Sequence, residues 1–343
     1  MRNHTKFPAI LVLDVIAFIG VMGIAGMLGA CTSDEAGRTP FSGNWILELD
    51  GQNLLVLSID EVDNEVAHDP DAEEIHLAGT LLRPRSLEVR SDGYFSHISA
   101  DQVTLDVAAT VYGDDEIDLS VTDGTMSNTL RMRVTENDRA EIRPAGLPVW
   151  MKPMEFRRAR SGDVLAIEWT TPQPPTRELA AVRDELLAMA EEDQAVRNAV
   201  PVRASRLEET RRAHLPAIER IHATYGRPEV SEVGREAAAA FWLLVQHQEL
   251  GLQQRLLPEM EEAVAHGDAS AEDYALLFDR VMIREGREQR WGTQTSCVDG
   301  EAVLDPVEDP AEIDRRRQAL YLPPLDAYLE EMGFQCRYVA DQP

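Results

Sequence analysis

The stretch from Val245 to Gln294 gathers the side chains best suited to chemistry. Gln246 and His247 stand together, Asp279 and Arg280 follow, and Glu285-Gly286-Arg287-Glu288-Gln289-Arg290-Trp291-Gly292-Thr293-Gln294 closes the run. A histidine, a carboxylate to orient it and a guanidinium to hold an anion are the parts of acid–base catalysis. In that arrangement His247 is the acid/base, Asp279 its orienter, and Arg280 or one of Arg315, Arg316 and Arg317 the clamp. No obvious nucleophile accompanies them, so hydrolysis would use an activated water. Gln246, Gln289, Trp291, Thr293 and Gln294 offer amides, a hydroxyl and an aromatic face for binding. The alternative is a buried polar network that locks the loop onto its helices. Structural networks perturb charges as catalytic ones do, and for each residue taken singly that account is the expected one.

Other catalytic signatures are missing. There is no G-x-S-x-G elbow, Walker loop, H-E-x-x-H or C-x-x-C pair. No metal set and no cofactor is expected. The acidic run His68, Asp69, Asp71, Glu73 and Glu74 lacks the glycine and spacing of an EF-hand and reads as a solvated loop. His214 and His222 are not at ligand spacing and read as surface or boundary residues.

Helical spacing aims the central residues inward. His247 follows Leu243 and Leu244 by a turn, and Asp279 shares its face with Ala275, Met282 and Ile283. A carboxylate on an apolar face needs partners. His247, Asp279, Arg280, Gln289 and Gln294 are therefore expected to converge. The Gln246-His247 pair, Asp279-Arg280-Val281 near a helix end and the E-G-x-x-Q-x-[YW]-G-T-Q loop together resemble an uncharacterised bacterial family, a domain of unknown function. The resemblance extends upstream to Asp193-Gln194-Ala195-Val196-Arg197 and downstream to Asp305-Pro306, Asp314 and Arg316-Arg317. It covers nearly all of the helical region, with Trp291 where tyrosine is commoner, and implies no known reaction.

The elements carrying these residues divide the chain at proline. Thr170 to Thr176 reads Thr-Thr-Pro-Gln-Pro-Pro-Thr, a stiff linker at 171–176. Before it, over 41–170, apolar residues alternate at Trp45, Leu47 and Leu49, at Val103 to Val111, at Ile117 to Val121 and at Leu130 to Val134. Asp50-Gly51, Asp92-Gly93 and Asp123-Gly124 lie between such runs and predict hairpins. An antiparallel β-barrel or sandwich follows. Gly43-Asn44-Trp45 resembles the start of lipocalins over three residues only. After the linker, 177–338 reads as a mainly α-helical domain with a small hairpin at Cys297–Glu301. Thr176 is expected to cap its first helix. Pro216 should kink or split a second, Ser231 opens a third, Ser270 with Asp273 forms a capping box, and Asp309-Pro310 starts another. The fold class is thus α+β in two domains.

The N-terminus has the layout of an export signal. Arg2 and Lys6 precede an apolar segment ending Leu28-Gly29-Ala30-Cys31. Residues 1–30 therefore read as a signal peptide, and the last four resemble the bacterial lipobox. That resemblance implies acylation of Cys31, palmitate among the chains, a lipidated tether over 31–40 and membrane attachment. Thr32 implies the periplasmic face of the outer membrane where the cell has two. Cys297 and Cys336 then remain, in an oxidising compartment, as a candidate disulfide. With 61 acidic residues against 33 basic ones, the net charge is -28, which repels nucleic-acid backbones. The partners expected are the membrane, through the lipid, and an envelope protein or small ligand. The leading functional expectation is a binding module, with an envelope enzyme using His247 and Asp279 as the alternative.

Overall fold

The computed structural model describes residues 39–340, apart from 63–74, 112–115, 125–126, 137, 146–150, 168, 171–172 and 200–202. The signal segment, Cys31, the acidic loop from His68 to Glu74 and part of the linker lie outside the described residues. Period-two alternation yields β1 (Gly43–Leu49), β2 (Gln52–Val62), β3 (Ile75–Pro84), β4 (Leu87–Val89), β5 (Phe95–Ile98), β6 (Gln102–Val111), β7 (Glu116–Thr122), β8 (Ser127–Glu136), β9 (Arg139–Pro144) and β10 (Met154–Arg158). Eight of them close a barrel in the order β1-β10-β9-β8-β7-β6-β3-β2, every pairing antiparallel. Trp45, Leu47, Leu57, Ile59, Leu119, Val121, Met132 and Phe156 belong to its core. Asp50 and Gly51 turn β1 into β2 with φ of 51° and 75°, the left-handed pair that a tight hairpin requires.

Helical periodicity takes over at α1 (Arg177–Arg197), where Thr176 Oγ1 accepts from the Leu179 N–H at 3.1 Å. Then come α2 (Ala204–Tyr225), α3 (Val230–Val233), α4 (Arg235–Gln246), α5 (Leu250–His266), α6 (Ala271–Arg284), β11 (Thr295–Val298), β12 (Glu301–Leu304), a 3₁₀ turn at Pro310–Glu312, α7 (Ile313–Ala319) and α8 (Leu325–Ala340). Leu186, Ile218, Phe241, Trp242, Leu252, Met260 and Leu277 sit in its main core. The disulfide Cys297–Cys336 ties β11 to α8. Among the described residues no helix is long and apolar enough to cross a membrane.

Three local expectations are corrected. Helix α2 is not split at Pro216. Pro216 and Arg212, whose carbonyl loses its usual donor, are both exposed, so water can replace the missing bond. Helix α3 is capped by Glu229, which exchanges hydrogen bonds with Glu232 in a reciprocal box, leaving Ser231 inside the helix. Ser270 does cap α6, accepting from the N–H groups of Glu272 and Asp273. The Asp273 carboxylate, however, turns toward Arg90 at 3.4 Å.

That last contact belongs to a polar seam between the two domains. Strands β4 and β5 form a separate hairpin between β3 and β6, which reaches the helical domain. Asp92 accepts from the Ala271 N–H at 2.5 Å and from Ser270 Oγ at 3.2 Å, at the positive end of α6. Ser91 donates its N–H and hydroxyl to Glu272, both at 3.0 Å. Arg235, at the start of α4, forks onto Asp50 in the β1–β2 turn, and His97 meets Glu236 at 2.9 Å. Burial pushes the Glu272 and Asp273 carboxyls above the usual range, although Arg90 pulls both down.

Candidate functional site

Asp279, in the third turn of α6, is fully buried and surrounded by donors from the loop that follows. Its carboxylate accepts from the N–H of Arg290 at 2.7 Å, of Trp291 at 3.1 Å and of Thr293 at 3.0 Å, and from Thr293 Oγ1 at 3.0 Å. Burial pushes this carboxyl up while the four donors pull it down. Gln289 and Gln294 brace the loop across its base. The Gln289 amide donates to the Gln294 and Asp305 carbonyls, both at 2.9 Å, and accepts from the Gln294 N–H at 2.8 Å.

The rest of the loop is held from outside. Trp291 packs edgewise on Phe278 and Tyr274, with centroids 5.2 and 5.9 Å away. Arg317 donates to the Trp291 carbonyl at 2.6 Å, and Tyr328 to the Thr293 carbonyl at 2.7 Å. Gly292 has φ +67°, a conformation that favours glycine, and a Cβ there would meet Ile313 Cδ1 at 2.7 Å, so the Ile313 side chain would also have to shift. The arginine run does not supply a clamp. Arg316 is committed to the carbonyls of Arg290 and Glu308, Arg317 to those of Trp291 and Pro323, and Arg315 to Glu312.

His247 lies at the other side of Arg280, at the C-cap of α4. The sequence offers Asp279 as its orienting carboxylate; the structure provides Asp193 instead. His247 Nδ1 lies 2.6 Å from Asp193 Oδ2, and Arg197 Nε reaches the same oxygen at 2.9 Å. Burial first, then the charges of Arg197 and Arg280, hold the imidazole down to about 4 against the pull of Asp193. Burial opposes the charge of Asp193, but His247 and Arg197 outweigh it and keep that carboxyl at about 2. The pair at neutral pH is therefore carboxylate plus neutral imidazole. A carboxylate only accepts, so Nδ1 carries the proton and Nε2 presents its lone pair. Nε2 is buried and has no partner among the described residues, and the same holds for Oε1 of Gln248, the next residue in the chain.

Arg280 joins the two clusters. Its Nη1 donates to the Gln246 carbonyl at 2.8 Å, and its Nε lies 3.5 Å from Gln294 Oε1. Burial and the neighbouring guanidiniums of Arg197 and Arg284 bring it down to about 10. Gln246 is buried, donating to the Asp273 carbonyl at 3.0 Å. His214, expected at the surface or its boundary, is 4% exposed and pairs with Glu192 across the α1–α2 contact; His222 is partly exposed and meets Glu259. No cluster of three or more potential metal ligands occurs among the described residues. A cleft of about 280 Å³ between α1 and the start of α4, lined by Arg183, Leu187 and Glu236 among others, contains none of these groups.

Asp193 and Arg197 carry the signal that residue-by-residue reading missed. The buried positions of α1 are Val182, Leu186, Met189 and Asp193, so extending the apolar stripe one turn arrives at a carboxylate.

Residues 180–335 match the family model described as a family of unknown function, DUF6624. The Q-H, D-R-V and loop signatures and the Asp193–Arg197 segment all fall inside that match. No curated protein and no solved structure matches the chain.

Proposed function

We propose that this chain is an exported protein, held to the membrane by acylated Cys31, whose helical domain is a binding module with its ligand contact at His247. The observation that carries the reading is the Nε2 atom of His247. Asp279, Gln289, Thr293 and Gln294 are occupied by the fold itself, whereas the neutral imidazole is rigidly oriented by Asp193 and offers an uncommitted lone pair. The N-terminal lipobox pattern supports the location, and the disulfide Cys297–Cys336 suits an oxidising compartment. The β-domain, docked through its β4–β5 hairpin, serves as the membrane-side support.

An enzyme is the second reading, and the same dyad favours it. An imidazole with Nδ1–H on a carboxylate and Nε2 free has the geometry of a general base with Asp193 in the orienting role, and a bound substrate would have to raise it from about 4 for it to act at neutral pH.

Two measurements test the proposal. The mass of protein extracted from membranes should begin at Cys31 with added acyl chains; a chain beginning at Met1 counts against the anchor. Envelope small-molecule fractions should contain a species that raises the Tm of the full chain but not of His247→Gln. Conversion of that species to a product would replace the module with the enzyme, and the lack of any His247-dependent ligand would remove both.

A further inference from the structure

Most arginines among the described residues lie against carboxylates, as the acidic composition makes easy. Arg280 does not. Its acceptors are the Gln246 carbonyl, Gln246 Oε1 and Gln294 Oε1, all neutral. Arg197, one neighbour, shares the single carboxylate of Asp193 with His247 and commits only its Nε to it. Among the described residues no acceptor holds the Nη groups of Arg197 or Nη2 of Arg280. Arg284, a turn beyond Arg280, donates to the Gln248 carbonyl and Gln253 Oε1, and the nearby Glu249 carboxylate that acts on it is shared with Arg211. Positive charge therefore exceeds negative charge at this end of the bundle, in a protein of net charge -28. Arg197 and Arg280 are each partly exposed, and none of their free Nη atoms is among the buried side-chain atoms left without a partner, so these donors face solvent rather than a carboxylate.

We infer that Arg197 and Arg280 form an anion subsite against His247, built for a phosphate or carboxylate that carries an adjacent hydroxyl donor. The guanidiniums supply the charge and forked donors suited to such oxygens. The imidazole sets the second requirement. Nε2 is an acceptor, 9% exposure of the residue leaves it little water, and its own Nδ1–H is fixed on Asp193. An anion that only accepts would leave that lone pair facing oxygen, whereas hydrogen phosphate or an α-hydroxy carboxylate satisfies the guanidiniums and Nε2 together. This inference rests on the binding reading above and specifies its ligand.

The test is titration of the full chain with inorganic phosphate, sulfate, glycolate and acetate at matched ionic strength and neutral pH. It is read by Tm and by the NMR signals of the His247 imidazole. Phosphate or glycolate should raise Tm saturably and shift His247. Sulfate and acetate, which lack the donor, should bind about tenfold more weakly or not at all. Arg280→Gln and the more exposed Arg197→Gln should each weaken binding by about tenfold or more, while Arg280→Lys, which keeps the charge, retains part of it. Equal responses to all four salts, responses unchanged in both glutamine variants, or no saturable response would each overturn the inference. A neutral envelope ligand that depends on His247 would overturn it while leaving the binding reading intact.

Discussion

Thr293 donates to Asp279 twice, through its backbone N–H and its hydroxyl, both 3.0 Å from Oδ2. With the N–H groups of Arg290 and Trp291 on the same carboxylate, Asp279 is the centre around which the Gly-containing loop is wound. Asp279→Asn keeps the size but places an NH₂ among donors. It should lower unfolding stability by about 2–3 kcal/mol and increase amide exchange over 287–294. Chemical denaturation with hydrogen exchange checks both; unchanged stability would contradict the structural role.

His247 makes stability depend on pH with a definite sign. Its folded pKa of about 4 lies below the ordinary 6.5, so the unfolded chain binds the extra proton first. The contribution is fully present above pH 6.5 and is lost as pH falls toward 4, by about 3 kcal/mol. Asp193, held at about 2 from 3.8, adds a loss of the same sign at lower pH. Glu272 and Asp273, with raised pKa values, act in the opposite sense and gain as pH falls. Comparing denaturation of the parent chain and His247→Gln at pH 7, 5.5 and 4.5 isolates the histidine. The variant should start less stable and decline less steeply; parallel curves would refute the assignment.

The disulfide between Cys297 and Cys336 closes a loop with a sequence separation of 39. The loop-entropy model gives it roughly 3–4 kcal/mol. The Cys297→Ser/Cys336→Ser double variant should melt at lower temperature, and reductant should lower the Tm of the parent chain but not that of the variant. Two reactive thiols in unreduced, denatured protein would remove the bridge.

Cleavage in the linker should produce two fragments that stay together. The β4–β5 hairpin and the β1–β2 turn bind the helical domain through Ser91–Glu272, Asp92–Ala271 and Asp50–Arg235. Size exclusion after limited proteolysis should show co-elution. Arg90→Ala leaves Asp273 buried without its counter-charge, costing about 3 kcal/mol, and should loosen the pair. Separate elution of the parent fragments would show that the seam contributes little.

Much of the architecture was legible because it depends on local chemistry. The Asp50-Gly51, Asp92-Gly93 and Asp123-Gly124 turns, the Thr176 cap and the hairpin after Gln294 all follow from nearest neighbours. The closure of eight strands, and the removal of β4 and β5 from that barrel, depend on long-range pairing that alternation does not encode. The site divides in the same way. The inward direction of His247 and Asp279 follows from helical spacing, but their partners do not. Asp279 is met by backbone N–H groups, which every residue except proline possesses. His247 is met by Asp193, 54 residues away, on another helix.

Asp279 and Arg280 are consecutive on α6, so about 100° of helical rotation separates their directions. One side chain grips the Gly292 loop, and the other faces the imidazole and the end of α4. Because a helix turns as a rigid rod, any rotation or sliding of α6 would displace both attachments at once. The loop and the His247–Asp193 pair thus share a single mechanical axle. Because Ala271, Glu272 and Asp273 at the other end of α6 are held by Asp92, Ser91 and Arg90, the same displacement would also strain the seam with the β4–β5 hairpin.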